Sequence, residues 1–183
     1  MFMLVIGGAA SGKSAFAEAC STGWGSPALY VATMEPLGEE AAARIERHRA
    51  QRRDAGFVTL ECPRDLARAH LGSYPAALID DIGNLVANEL FAPSHRDACA
   101  GAVSERVVAG VDHVRSACGR VVAVTPDVSS DGVGYDDGTR EWQRAIALAN
   151  ARMAAKADCV VEVVCGIPVW IKGDEKSWKE ARS

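Results

Sequence analysis

The octapeptide Gly7-Gly8-Ala9-Ala10-Ser11-Gly12-Lys13-Ser14 follows an apolar run at 3–6 and leads into helical periodicity over 13–21. Glycines at its start and middle let backbone N–H groups turn inward around an anion. Lys13 adds charge between the β- and γ-phosphates of a nucleotide, and the Ser14 hydroxyl is a Mg²⁺ ligand. The following helix points the positive end of its dipole at the same place. A glycine-rich turn without a ligand is the alternative reading, but a complete Gly-Lys-Ser set between strand and helix argues against it. Residues 7–14 are therefore expected to hold the phosphates of ATP or GTP.

Working outward, further apolar runs occur at 28–33, 76–80, 121–125 and 159–164. Each is short, rich in Val, Ile, Leu or Ala, and continuous instead of alternating. That pattern belongs to strands covered on both faces, as in parallel sheets. Helical stretches are read at 39–53, 64–71, 84–91, 97–118 and 139–157, the last opening on Thr139. Residues 169–172, after the turn Gly166-Ile167-Pro168, should close a hairpin on the sheet edge. The expectation is an α/β fold, P-loop NTPase-like and doubly wound, with a mostly parallel sheet and a C-terminal edge hairpin. Residues 1–173 are read as one nucleotide-binding domain and 174–183 as a polar tail, with Trp178 the one hint that the tail docks. Loop 126–138, with four Asp and three Gly, is long enough to be functional or mobile.

Composition narrows the partners. Of the 183 residues, 49% are hydrophobic and 24% charged, with a net charge of −4 and no clustered sign. No basic field for nucleic acid and no polybasic patch for a membrane results, so small molecules are the expected ligands. The six cysteines show no CxxC spacing and no Cys/His pairing suited to zinc, and no signal peptide is evident; they read as reduced core residues of a cytoplasmic protein.

A phosphate loop needs an acidic group for the metal shell at the end of another strand. Asp80, closing Ala76-Ala77-Leu78-Ile79-Asp80-Asp81, is the best placed. The other reading makes Asp80 or Asp81 the cap of the next helix, and neighbouring residues can fill both roles. Helix 39–53 carries Arg44, His48 and Arg52 at spacings of four, on one face. Between two guanidiniums the neutral imidazole is favoured, and neutral imidazole is a nucleophile. On spacing alone, a solvated arginine-rich face is the simpler reading.

Taken together, these segments resemble the bifunctional adenosylcobinamide kinase / adenosylcobinamide-phosphate guanylyltransferase family of cobalamin synthesis. The resemblance runs from Met3 to about Gly173. It rests on the phosphate loop, Tyr30-Val31-Ala32-Thr33, Ala43-Arg44-Ile45-x-x-His48-Arg49, Ile79-Asp80 with Asn88, and Ala157-Asp158 through Gly166-Ile167-Pro168 to Lys172-Gly173. It implies a kinase step, from ATP or GTP onto the aminopropanol hydroxyl of adenosylcobinamide. A guanylyl transfer from GTP through GMP held on His48 then gives adenosyl-GDP-cobinamide. It further implies Mg²⁺, catalytic roles for His48, Lys13 and Asp80, and metal ligation by Ser14 and Asp80. Gly7, Gly8, Ala9, Ala10, Ser11, Gly12, Lys13, Ser14, Thr33, Arg44, Arg52, Glu61 and Asp80 would form the nucleotide site. Members of the family form homotrimers.

The chain departs from the family pattern in places. Ala10 stands for an Arg, Asp81 for a Cys, Gly83 for a Thr, and Pro126-Asp127-Val128-Ser129 for Asn-Glu-Val-Gly; Gly134 replaces a Pro. Losing a positive charge at Ala10 weakens charge neutralisation in phosphoryl transfer. A kinase of another small alcohol would have no use for His48, and a nucleotide-binding module without turnover would release no phosphate or pyrophosphate.

Overall fold

The computed structural model describes residues 1–35, 55–93, 99–128 and 134–180. Seven strands form one sheet: β1 Phe2–Gly7, β2 Ala28–Ala32, β3 Phe57–Glu61, β4 Ala77–Asp80, β5 Val121–Pro126, β6 Cys159–Val164 and β7 Ile167–Lys172. Their order is β3-β2-β4-β5-β1-β6-β7. The first six run parallel and β7 returns antiparallel to β6. The helices are α1 Lys13–Thr22, α2 Ile82–Leu90, α3 Ala100–Cys118, α4 Asp137–Lys156 and α5 Glu175–Glu180.

Two apolar layers explain the continuous runs. Phe2, Leu4, Leu29, Val31, Ala77, Ile79, Val121 and Ala123 pack under α2, α3 and α4. Their strand neighbours Met3, Val5, Ala28, Tyr30, Leu78, Val122 and Val124 face the other way, onto Ala17 and Cys20 of α1, Trp24 and Trp178. Successive strand residues point to opposite faces, so a strand covered on both must be apolar at every position. Because the strands are parallel, the residues that end β1, β2, β3, β4 and β5 meet along a single rim. In open α/β sheets that rim is where ligands bind.

Several sequence expectations are corrected. Strand β3 lies where no strand was read, between helices expected at 39–53 and 64–71. It is an edge strand in which only Phe57 is fully buried, so its apolar signal is weak. The helix expected at 64–71 is a single 3-10 turn, Leu66–Arg68. Its N-cap Asp65 sits in the left-handed region (φ 51) with its N–H given to Glu89 Oε1 at 2.7 Å, so no helix runs in from 64, and Ala69 turns extended (ψ 139), which ends it. Helix α4 is capped by Asp136, whose Oδ1 accepts from Thr139 N at 2.9 Å, three residues before the expected start. In the hairpin the turn is Cys165-Gly166, and β7 already includes Ile167 and Pro168. The tail carries α5, and Trp178 is buried against Trp24, ring centroids 3.9 Å apart. Four cysteines are buried, but Cys99 and Cys165 are exposed; all six are free.

Candidate nucleotide site

The loop after β1 is held from below by its own glycines. A Cβ on Gly7 would fall 2.5 Å from Ser11 Oγ and 2.8 Å from the Val163 carbonyl oxygen, contacts no side chain can make. Gly12 takes φ +90, and a Cβ there would meet Gly166 Cα at 3.2 Å. Gly166 N in turn donates to Ser11 O at 2.8 Å, so the β6–β7 turn buttresses the loop. Asp127 N donates to Gly7 O at 3.2 Å from the other side. Gly8 has open space around it, and Ala10 adopts the left-handed region at φ 56.

Helix α1 opens at Lys13 with Gly12 as its N-cap. No side chain caps it and no acidic residue lies in its first turn. Its leading N–H groups remain available to an anion, as a phosphate site requires. Lys13 Nζ reaches back to the Gly8 carbonyl at 3.0 Å, arching over the loop where phosphates would sit.

Two strands along the rim, with β5 between, β4 ends on Asp80. Its Oδ2 accepts from the Tyr30 hydroxyl. Asp81 does the capping: its Oδ1 accepts from Asn84 N at 2.7 Å and opens α2. Burial pushes the Asp81 carboxyl up; the Asn84 N–H pulls it down, Asp80 pushes it up again, and Lys13 lowers it.

Thr33 is fully buried just beyond β2, and its hydroxyl donates to Asp81 O at 2.8 Å. Glu61 ends β3 in register with Ala32. The loop after it is pinned to α2: Asn88 Nδ2 donates to Thr33 O at 2.7 Å and Pro63 O at 3.0 Å, and Glu89 takes the Asp65 N–H. Buried Glu89 is balanced by Arg106 at 3.1 Å. Thus residues 7–14, Thr33, Glu61 and Asp80 share one rim. Arg44, His48 and Arg52 lie outside the described residues.

Tyr30 and Gly166 stand in segments that carry the family resemblance, but the roles they take here, and Glu89 altogether, escaped the sequence reading. Their partners are 50, more than 100 and 24 residues away in sequence, and no local spacing signals such contacts. Only the aromatic in an otherwise aliphatic strand was a clue to Tyr30.

Gly83 and Pro126 meet at the start of α2. A Cβ at 83 would lie 2.8 Å from Pro126 Cγ and 3.0 Å from its Cδ. The proline ring occupies the space a larger residue at 83 would need. Trp142 Nε1 fixes the same corner by donating to Gly83 O at 3.1 Å.

The donor set at the rim suits a small hard cation. Mg²⁺ keeps several waters and takes one or two protein oxygens beside substrate phosphates. A hydroxyl on Ser14, in the first turn of α1, and a carboxylate on Asp80 offer that pairing. Among the described residues no group of three or more His, Cys, Asp or Glu could cage an ion alone.

A parallel sheet, a glycine loop leading from β1 into an uncapped helix, and a carboxylate two strands away define a P-loop nucleotide-binding protein of the NTPase type. Comparison with known proteins narrows this: residues 3–171 match the model of the cobinamide kinase / cobinamide phosphate guanyltransferase family, and the chain belongs to that family. It is similar to the bifunctional adenosylcobalamin biosynthesis protein CobU of Salmonella typhimurium, 37% identical over 94% of this chain and all of that one. The protein of the same name from Escherichia coli is 35% identical over the same shares. The bifunctional adenosylcobalamin biosynthesis protein CobP of Pseudomonas aeruginosa is 28% identical over 93% of this chain and 97% of its own. The family is one of kinases and nucleotidyltransferases. Among the described residues, no helix is long and apolar enough to cross a membrane.

Proposed function

We propose that this chain phosphorylates the aminopropanol hydroxyl of adenosylcobinamide with ATP or GTP, then transfers GMP from GTP through a guanylyl-histidine to give adenosyl-GDP-cobinamide. The observation that carries the nucleotide part is the loop itself, with α1 uncapped and Lys13 bent over the phosphate position. The loop amides and Lys13 neutralise phosphate charge. Ser14 and Asp80 would hold Mg²⁺, which would supply charge neutralisation at the phosphates.

In the second step the neutral imidazole of His48 attacks the α-phosphorus of GTP. An N–P bond forms, the α–β bridging P–O bond breaks, and pyrophosphate leaves with its charge held by Arg44 and Arg52. A phosphate oxygen of adenosylcobinamide phosphate then displaces the imidazole, regenerating His48. Glu61 completes the nucleotide site, with Thr33 behind Asp80 and Asp81. Ala10 removes a loop cation, so the kinase step draws more of its charge stabilisation from Lys13.

We place the reaction in the cytoplasm, where the six free thiols would remain reduced. The working unit is a homotrimer. The apolar edge of β7, where Ile167, Val169 and Ile171 are 46–65% exposed, is the surface on which copies would meet. Light scattering of wild type and Ile171→Asp, which should shift to monomer, checks this.

Incubation with α-³²P-GTP and Mg²⁺ tests the covalent step. Label on the protein that survives alkali, is lost in acid and is absent from His48→Ala is expected. Binding of GTP without any such label would remove the histidine mechanism and leave a simple kinase or a module without turnover.

A further inference from the structure

Asp80 is held at both ends by strand β2. Its carboxylate Oδ2 accepts from the Tyr30 hydroxyl. Its carbonyl accepts from Thr33 N at 3.2 Å, and the next carbonyl, of Asp81, accepts from Thr33 Oγ1 at 2.8 Å. Thr33 is itself fixed from behind, because its own carbonyl takes the Asn88 amide at 2.7 Å. Only the nitrogen end of that amide can serve two carbonyls, so its orientation is settled by chemistry.

Both side chains are fully committed to this task. Thr33 is 0% exposed, and Tyr30 is 1% exposed with its ring packed edge-on against Phe57, centroids 5.4 Å apart at 87°. The Thr33 hydroxyl has spent its one hydrogen on a backbone carbonyl and is buried, so no donor remains there for a phosphate oxygen. A phenol brought through the core to meet a carboxylate at the rim acts on that carboxylate.

We propose that Tyr30 and Thr33 are positioning residues that aim Asp80 at the metal–nucleotide complex, with Asn88 locking Thr33 in place. The inference rests on Asp80 serving the metal, as in the function proposed above. Tyr30 fixes which carboxylate oxygen is free: Oδ2 is occupied, so Oδ1 is the one presented to the cation or its waters. Groups behind a metal ligand commonly govern affinity almost as strongly as the ligand, by roughly 10- to 100-fold. The Thr33 hydroxyl thus serves the site from behind the β4 end.

The test measures binding of a fluorescent GTP analogue with and without Mg²⁺, beside thermal unfolding, for wild type, Tyr30→Phe, Thr33→Val and Thr33→Ser. Phe and Val keep the packing and remove only the hydroxyl. The expected result is unchanged metal-free affinity within about twofold, with the affinity gained on adding Mg²⁺ reduced roughly tenfold in Tyr30→Phe and Thr33→Val. Thr33→Ser should restore it. Wild-type Mg²⁺ dependence in both hydroxyl-deleted variants would overturn the inference and leave the proposed function intact. Equal losses with and without Mg²⁺, tracking a lower Tm, would also overturn it by showing a structural role only. Failure of wild type itself to gain affinity from Mg²⁺ would instead remove the metal role of Asp80, and the inference with it.

Discussion

Lys13 is the residue on which nucleotide affinity should depend most steeply. Its ammonium bridges to the Gly8 carbonyl and is exposed, so its removal costs the fold little while deleting the one loop cation. Lys13→Ala should lower nucleotide turnover by roughly 100-fold or more, the scale on which single charge-stabilising donors act. Its Tm should match wild type; a parallel fall in Tm would mean the lysine was holding the loop. Ala10 invites the opposite change. Ala10→Arg restores a cation on an exposed, left-handed position and should raise the kinase rate with little effect on guanylylation of His48. Separate assays of phosphate transfer from γ-labelled ATP and protein labelling from α-labelled GTP distinguish the two.

Between elements, the fit of Gly83 against Pro126 couples the two positions. In the present chain Gly83→Thr overpacks the N-terminus of α2 against the proline ring and should cost about 1–3 kcal/mol. In a Pro126→Asn background the same substitution should cost distinctly less, because the ring that blocks it is gone. A double-mutant cycle by urea unfolding measures the coupling, and additivity would disprove it. Helix α4 offers a pH test. The Thr139 backbone N–H and hydroxyl hold the Asp136 carboxyl below its ordinary range, so the ionised cap stabilises the fold. That contribution is present above the unfolded carboxylate pKa and fades as pH falls through the lower folded value. Asp136→Ala should therefore unfold at lower temperature than wild type at pH 7, and the gap should narrow below about pH 4. A gap independent of pH would assign the loss to something other than the charge.

For the molecule as a whole, the C-terminal helix is the element whose contribution is least visible locally. Trp178 is 4% exposed and closes the layer beneath α1 through its contact with Trp24. Trp178→Ala should lower stability by about 3 kcal/mol, within the usual range for a large aromatic removed from a core. Urea unfolding checks this, and an unchanged midpoint would show that the helix frays in solution. Tyr30, whose hydroxyl meets Asp80, belongs to this same layer.

The phosphate loop, the continuous apolar strands and the edge hairpin were all written in local sequence. A GxxxxGKS between strand and helix has one backbone solution, and a strand covered on both faces is apolar throughout, so composition reveals it. Parallel order then places every strand's C-terminal end on one rim. What tertiary structure alone decided lies in contacts across long separations. Phe57–Glu61 becomes a strand because β2 is there to pair with it. The expected helix at 64–71 shrinks to one turn bounded by a left-handed Asp65, its amide held by Glu89, and an extended Ala69. The Thr33 hydroxyl finds the Asp81 carbonyl, and Tyr30 acquires Asp80 as its partner, through bonds spanning 48 and 50 residues. Spacing rules report what neighbours along the chain can do for one another; which distant group satisfies a buried donor is settled only when the sheet brings them together.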